Sequence, residues 1–207
     1  MNPLNPNSDY SENTRNLNGI SSAIVTNNKD PDGLGRIKIR YVWDQDNYET
    51  TWARVMSFMA GDHRGGFFLP EVGDEVLVGF IEGIFEFPVI LGAVWNGKDI
   101  PPAKNENGKN DIKKIRTRSG HEIIFDDHES NAKLEIKSKS GHKISLNDAA
   151  GGEKMSIEDK NGNRIEIDAV SNTITLKSSI KLSLEANMID IKADGILTLQ
   201  GGLVKIN

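Results

Sequence analysis

The 207-residue chain has no cysteine, which excludes a disulfide frame, a thiolate nucleophile and a cysteine-based zinc site. Aromatic residues are sparse at 6%, and the hydrophobic share of 37% is low for a compact globule. No apolar run approaches the roughly 18 residues of a membrane span, and no leader-like apolar segment follows the first residues. Positive charge is not in excess. Lys and Arg number 25 against 30 Asp and Glu, for a net charge of −5, so the chain has no electrostatic footprint for nucleic acid or an anionic membrane. Gly-X-Ser-X-Gly, His-Glu-X-X-His and the phosphate loop are all missing. No catalytic residue, cofactor or metal ligand is therefore assigned.

What is present is strand signal. Residues 112–207 read as a ladder of short strands, and no long helical period interrupts it. The beats at 181–184, 189–191, 197–199 and 204–206 place Leu184, Ile191, Leu199 and Ile206 seven or eight residues apart. Alternation of apolar and polar residues leaves one face of each strand buried and the other wet. Earlier in this stretch a repeat is visible. Ser119-Gly120-His121 is echoed by Ser140-Gly141-His142 and by Asn161-Gly162-Asn163, with the glycines 21 residues apart. Each repeat is expected to be a hairpin-like pair: turn glycine, strand, polar turn, strand. Such a chain has a thin apolar face and nothing of its own to bury it against. The simplest cover is more copies of the same chain.

The remainder divides by composition. Residues 1–18 are rich in Asn and poor in apolar side chains, and are read as a flexible arm, or alternatively a tether that orders on a partner. Residues 19–98 carry five short alternating strands, at 20–25, 36–43, 52–56, 75–81 and 88–95, for which a closed OB-type barrel is the economical fold. Lys38 and Arg40 flank Tyr41 and Trp43, a weak signal for single-stranded nucleic acid. Asp44, Asp46 and Glu49 follow at once, so no nucleic-acid partner is expected. Residues 99–111, stiffened by Pro101 and Pro102, form a linker to the needle-like ladder at 112–207. The expected class is all-β.

Few residues suggest a site. His121 and His142 occupy equivalent repeat positions and are expected to serve turns and interfaces. Asp126, Asp127, His128 and Glu129 could gather a cation but read better as a solvated turn. Asp30 and Asp32 with Gly33 match a fragment of a calcium loop, whose remaining ligands are missing.

Four motifs occur in order: Asp30-Pro31-Asp32-Gly33-Leu34-Gly35-Arg36, Trp52-Ala53-Arg54-Val55, Phe68-Leu69-Pro70-Glu71-Val72-Gly73-Asp74-Glu75-Val76 and Leu91-Gly92-Ala93-Val94-Trp95-Asn96-Gly97. With these the chain resembles the VgrG and phage baseplate-spike family. One departure is Glu82-Gly83-Ile84-Phe85-Glu86-Phe87, where relatives carry a polar acidic turn. The resemblance implies an OB-fold barrel followed by an intertwined, trimeric triple-stranded β-helix. On that reading Ile180, Leu182, Leu184, Ile189, Ile191, Leu197, Leu199, Val204 and Ile206 form the trimer core. It further implies a non-enzymatic spike of a contractile injection machine, assembled in the bacterial cytoplasm within a tube and baseplate particle and delivered outward to puncture the target envelope. A separate hub or baseplate protein would bind the OB collar, because only 18 residues precede it. A PAAR-type tip protein would dock on Leu203, Val204, Lys205, Ile206 and Asn207. The linker leaves no room for the lysozyme domain of some phage members. No histidine follows His142, so a metal tip of the chain's own making is not expected. The alternative reading is a trimeric tail fibre or adhesin binding a receptor or glycan.

Overall fold

The computed structural model describes residues 19–206, so the arm at 1–18 and Asn207 lie outside the described residues. Among the described residues the fold is all-β, and its one helical feature is a three-residue turn at Ile81–Gly83. The chain separates into two compact units between Pro101 and Pro102.

The first unit is a small barrel. Its strands are β1 (Ser21–Asn27), β2 (Lys38–Tyr41), β3 (Arg54–Val55), β4 (Ala60–Gly61), β5 (Arg64–Gly65), β6 (Glu75–Phe80) and β7 (Pro88–Ala93). Five of them pair in the order β2-β1-β6-β7-β3. Every pair is antiparallel except β3 with β7, which is parallel. The open ends then meet: Ile37 N–H donates to Ala53 O at 3.0 Å, and Ala53 N–H donates back to Ile37 O at 2.8 Å. Thr50 N–H extends this seam to Ile39 O at 2.9 Å. The sheet therefore closes on itself in the Greek-key arrangement of an OB barrel, which removes its free edges. Register shifts at Val25/Asn27 and Leu77/Val78 supply the local bend that closure needs.

Alternation explains what lies inside. Ala23 and Val25, then Ile37, Ile39 and Tyr41, then Val76 and Val78, then Ile90 are all inward positions and are fully buried. One end of the barrel is plugged by the segment that departs from the family pattern. Glu82 and Gly83 adopt left-handed conformations, with φ of 54° and 74°. Two tight turns follow, Ile84 N–H to Ile81 O at 2.9 Å and Phe87 N–H to Ile84 O at 3.1 Å. They lower Phe85 onto Tyr41 and Phe80, with ring centroids 5.1 and 5.9 Å away. Trp43 stacks on Tyr41 at 5.2 Å and donates its indole N–H to Ser21 Oγ. The Tyr41 hydroxyl is buried there without a hydrogen-bond partner. Burial pushes its pKa up from 10.0 to about 12.

The second unit contains β8 (Ile112–Arg116), β9 (Glu122–Asp126), β10 (Lys133–Lys137), β11 (Lys143–Asn147), β12 (Lys154–Glu158), β13 (Arg164–Asp168) and β14 (Thr173–Lys177). They form one antiparallel meander in sequence order. The 21-residue repeat is two strands and their two connections. Its glycines sit where a three-residue hairpin loop needs positive φ: +94° at Gly120, +95° at Gly141 and +80° at Gly162. The residue opening each loop locks it. Thr117 Oγ1, Ser138 Oγ and Asp159 Oδ1 accept the N–H of His121, His142 and Asn163 at 3.1, 3.0 and 2.9 Å. The repeats are hairpins, as their glycine spacing suggests: from 112 to 177 the ladder bonds run within the chain, because five-residue strands and glycine loops return it on itself. Beyond Lys177, residues 178–206 form no strand within the chain. Their beat of seven or eight residues lacks the glycine loop that makes a hairpin.

Candidate assembly surface

Strand register sorts the second unit into two unlike faces. Ile115, Ile123, Ile136, Ile144, Ile157 and Ile165 are successive cross-strand partners and make one apolar row, which Leu176 ends. Phe125, Leu134, Leu146, Met155, Ile167 and Ile174 make a second row two residues along the same face. The middle row of the opposite face presents Lys114, Glu135, Ser145, Ser156, Glu166 and Thr175, with Ile124 as the apolar member of that row. The exposure is inverted from that of a finished protein. Glu135, paired with Lys133 and Lys137, and Ser145 are buried, whereas Ile157 remains 53% exposed and Ile144 and Ile165 are similar. Two rows of large apolar side chains over seven strands are an uncovered surface far beyond isolated exposed residues.

The tail adds to it. Ile180, Leu182, Leu184, Ile189, Ile191, Leu197, Leu199, Val204 and Ile206 are all exposed, from 48% at Ile189 to 97% at Ile180. The single chain brings them to no common core. Leu203 is exposed as well. Asn207, expected beside it at a docking end, lies outside the described residues. Leu182 and Leu184 border a groove of about 860 Å³ over Ile136, Ile144, Ile157 and Ile165.

The other candidates resolve into local structure. His121 Nδ1 accepts Lys139 N–H at 3.4 Å, and Asn163 Oδ1 accepts Ser179 N–H at 2.8 Å, so the first loop touches the second and the third touches the segment after β14 on the same side of the sheet. Asp126 accepts His128 N–H at 3.1 Å and Asn131 Nδ2–H at 2.9 Å, while Asp127 pairs with Lys113. Among the described residues no three His, Asp or Glu side chains are arranged to hold a metal ion. The Asp30 loop holds an internal cation instead. Arg36 donates Nε–H to Asp30 Oδ2 at 2.8 Å and an Nη2–H to Oδ1 at 2.7 Å, with Asp32 Oδ2 at 2.6 Å from the same nitrogen. Backbone N–H groups of Asp32, Leu34 and Arg36 converge on the same carboxylate. These bonds hold the Asp30 carboxyl well below the usual carboxylate range and raise Arg36 in turn.

One surface on the barrel has no counterpart in the sequence reading. The β4–β5 hairpin and its flanks expose Met56, Phe58, Met59, Phe67 and Phe68 around a groove of about 730 Å³. The Phe67-Phe68 pair beside Gly65-Gly66 is its sequence signal, a bulky couplet where no alternation assigns an inside.

Comparison with known proteins places these features. Residues 21–95 match the family described as the type VI secretion system/phage-baseplate injector OB domain. The chain is 31% identical over 131 residues to the type VI secretion system spike protein VgrG5 of Pseudomonas aeruginosa, covering 52% of this chain and 16% of that protein. It is 34% identical over 94 residues to VgrG1a of the same organism, covering 42% of this chain and 15% of the relative. With VgrG3 of Vibrio cholerae it shares 27% identity over 111 residues, half of this chain and 11% of the relative. The chain thus matches about one sixth or less of the length of these relatives. The closed barrel is built on the matched segment: residues 21–95 are similar to the injector OB domain, and the similarity to the spike proteins covers about half of this chain.

Proposed function

We propose that this chain is a non-enzymatic central spike of a contractile injection machine, working as a homotrimer that breaches a target envelope. The observation that carries this reading is the unpartnered apolar face of the seven-stranded sheet, continued by an apolar tail, on a chain whose barrel is an injector OB domain. Three sheets turned inward around an axis cover that face with copies of itself. Each tail, lacking strand partners of its own, then has two neighbours to pair with, and intertwining is confined to this part. A shaft built so resists bending, since bending breaks inter-strand hydrogen bonds. The spike relatives support the role of the machine part, in a particle assembled inside the bacterial cell and delivered outward. The barrel end of the chain is the docking side for a separate hub or baseplate protein. Exposed Leu203, Val204 and Ile206, with Lys205 and Asn207, are the seat for a tip protein. Division of the chain into an arm at 1–18, a barrel at 19–98, a linker at 99–111 and a needle at 112–207 belongs to the same proposal.

The test is localisation and loss of function in the parent cell. Gold-labelled antibody to the chain should mark one end of sheathed tubes, and deletion should abolish delivery without removing tube protein. Label spread along fibres at the particle's side, together with glycan or receptor binding by the purified protein, would replace this reading with that of an adhesin.

A further inference from the structure

The rims of the seven-stranded sheet carry opposite charge, and this bears on how one copy meets the next; it rests on the trimeric reading above and deepens it. The connections at 117–121, 138–142 and 159–163 turn at one rim, and those at 127–132, 148–153 and 169–172 turn at the other. At the first rim, equivalent loop positions hold Arg118, Lys139 and Lys160, all exposed and spaced by the 21-residue repeat. Strand ends there add Arg116, Lys137, Lys143, Arg164 and Lys177. Three carboxylates oppose these eight cations: Glu122, Glu158 and Asp159. At the second rim the signs reverse. Its loops hold Asp127, Glu129, Asp148 and Glu153, and the strand ends and approach add Asp111, Asp126 and Asp168. Two cations, Lys133 and Lys154, oppose these seven. By strand position the rims therefore stand at +5 and −5, while Lys113, Lys114, Glu135 and Glu166 lie between them and cancel, Lys113 reaching Asp127 at the second rim and Lys114 reaching Glu122 at the first. Pairs inside the chain, such as Glu122 with Lys114 and Arg116 at 3.3 and 3.5 Å, do not alter these sums.

Nothing in the folding of one sheet requires this sorting. Burial is set by alternation across the faces, and the rims are wet on both sides. Assembly does require it. Three sheets that turn their apolar faces to one axis meet at their rims, and rotational symmetry then sets the first rim of each copy against the second rim of the next. A twofold sandwich covers the same apolar faces without demanding that unlike rims meet. We infer that the basic rim of each sheet docks on the acidic rim of a second copy of this chain, and that this head-to-tail contact selects a closed, parallel ring over face-to-face pairing.

The test uses the full chain, refolded and followed by sedimentation equilibrium across salt concentrations. One variant carries Arg118→Glu, Lys139→Glu and Lys160→Glu; a second carries Glu129→Lys, Asp148→Lys and Glu153→Lys; a third combines all six. Each triple reversal sets like-signed rims together and should weaken association about tenfold or more at low salt, an effect that fades near 1 M salt. The six-fold variant, whose rims are again unlike, should associate more tightly than either triple. Should a reversed chain lose its sheet, glutamine at the same positions leaves +2 against −5 or +5 against −2 in the triples and +2 against −2 in the six-fold change, so association at low salt should fall stepwise from wild type to triple to six-fold variant. Triple variants that match the wild type, or a six-fold charge reversal weaker than both triple reversals, would overturn the inference and leave the trimer standing. A wild-type chain that stays monomeric would overturn the trimeric reading itself.

Discussion

Replacing Ile157 by serine tests which face of the sheet is covered. Ile157 lies in β12 between Ile144 and Ile165, inside the longer apolar row. Full burial of such a side chain contributes about 1.5–3 kcal/mol. Within one chain Ile157 is 53% exposed, so close to half of that remains to be gained on assembly. That is about 0.8–1.5 kcal/mol per copy and about 2–5 kcal/mol for three. Ile157→Ser removes this gain and turns three hydroxyls toward the axis, so the trimer–monomer equilibrium should shift by about 30-fold to a few thousand-fold. The control is Ser156→Ala, one residue away on the opposite face, which should change association little. Sedimentation equilibrium over a dilution series reads both, with the heating needed to dissociate the species in SDS as a second measure. Wild-type association by Ile157→Ser, with dissociation by Ser156→Ala, would show that the polar face is the covered one and refute the reasoning.

Further expectations concern the barrel. Tyr41→Phe removes a buried hydroxyl without a partner and should raise thermal stability, by about 1 kcal/mol. Because the folded pKa of Tyr41 is raised to about 12 from 10.0, the folded state holds its proton where the unfolded chain releases it. That contribution is complete below pH 10 and is lost as pH rises through about 12, so denaturant titrations should show the wild type falling with pH more steeply than Tyr41→Phe. Asp30 has the opposite sign. Its depressed carboxyl contributes stability above the ordinary value of 3.8 that is lost as pH falls below it, and Asp30→Asn should flatten this acid limb while loosening the 30–36 loop. An acid limb of unchanged slope in Asp30→Asn would refute the role given to the Arg36 fork.

The sequence made the barrel legible where alternation is strict. Residues 36–43 and 75–81 were assigned as strands, and β2 and β6 lie within them, because each inward apolar residue is two positions from the next. Phe85 was not legible as core. It sits among Glu and Gly in a connection, and only the left-handed turn at Glu82 and Gly83 aims it at Tyr41. The β4–β5 hairpin is illegible for the same reason: Gly61, Gly65 and Gly66 carry no side chain to betray a face. The 21-residue repeat makes the hairpins legible because each of its glycines falls at a turn, and the intrachain ladder ends at Lys177, where that spacing stops. Charge sorting by rim is present in the sequence from the start. It becomes visible once strand ends are fixed, since neighbours in sequence such as Asp126 and Asp127 share a rim that Arg118 does not.

The central claim is that the apolar face and tail are covered by two further copies. Native mass by multi-angle light scattering, run beside an unboiled SDS gel, tests it most directly. The account predicts a species of three times 22.8 kDa that survives SDS until heated. A folded monomer of 22.8 kDa, stable on dilution, would contradict it.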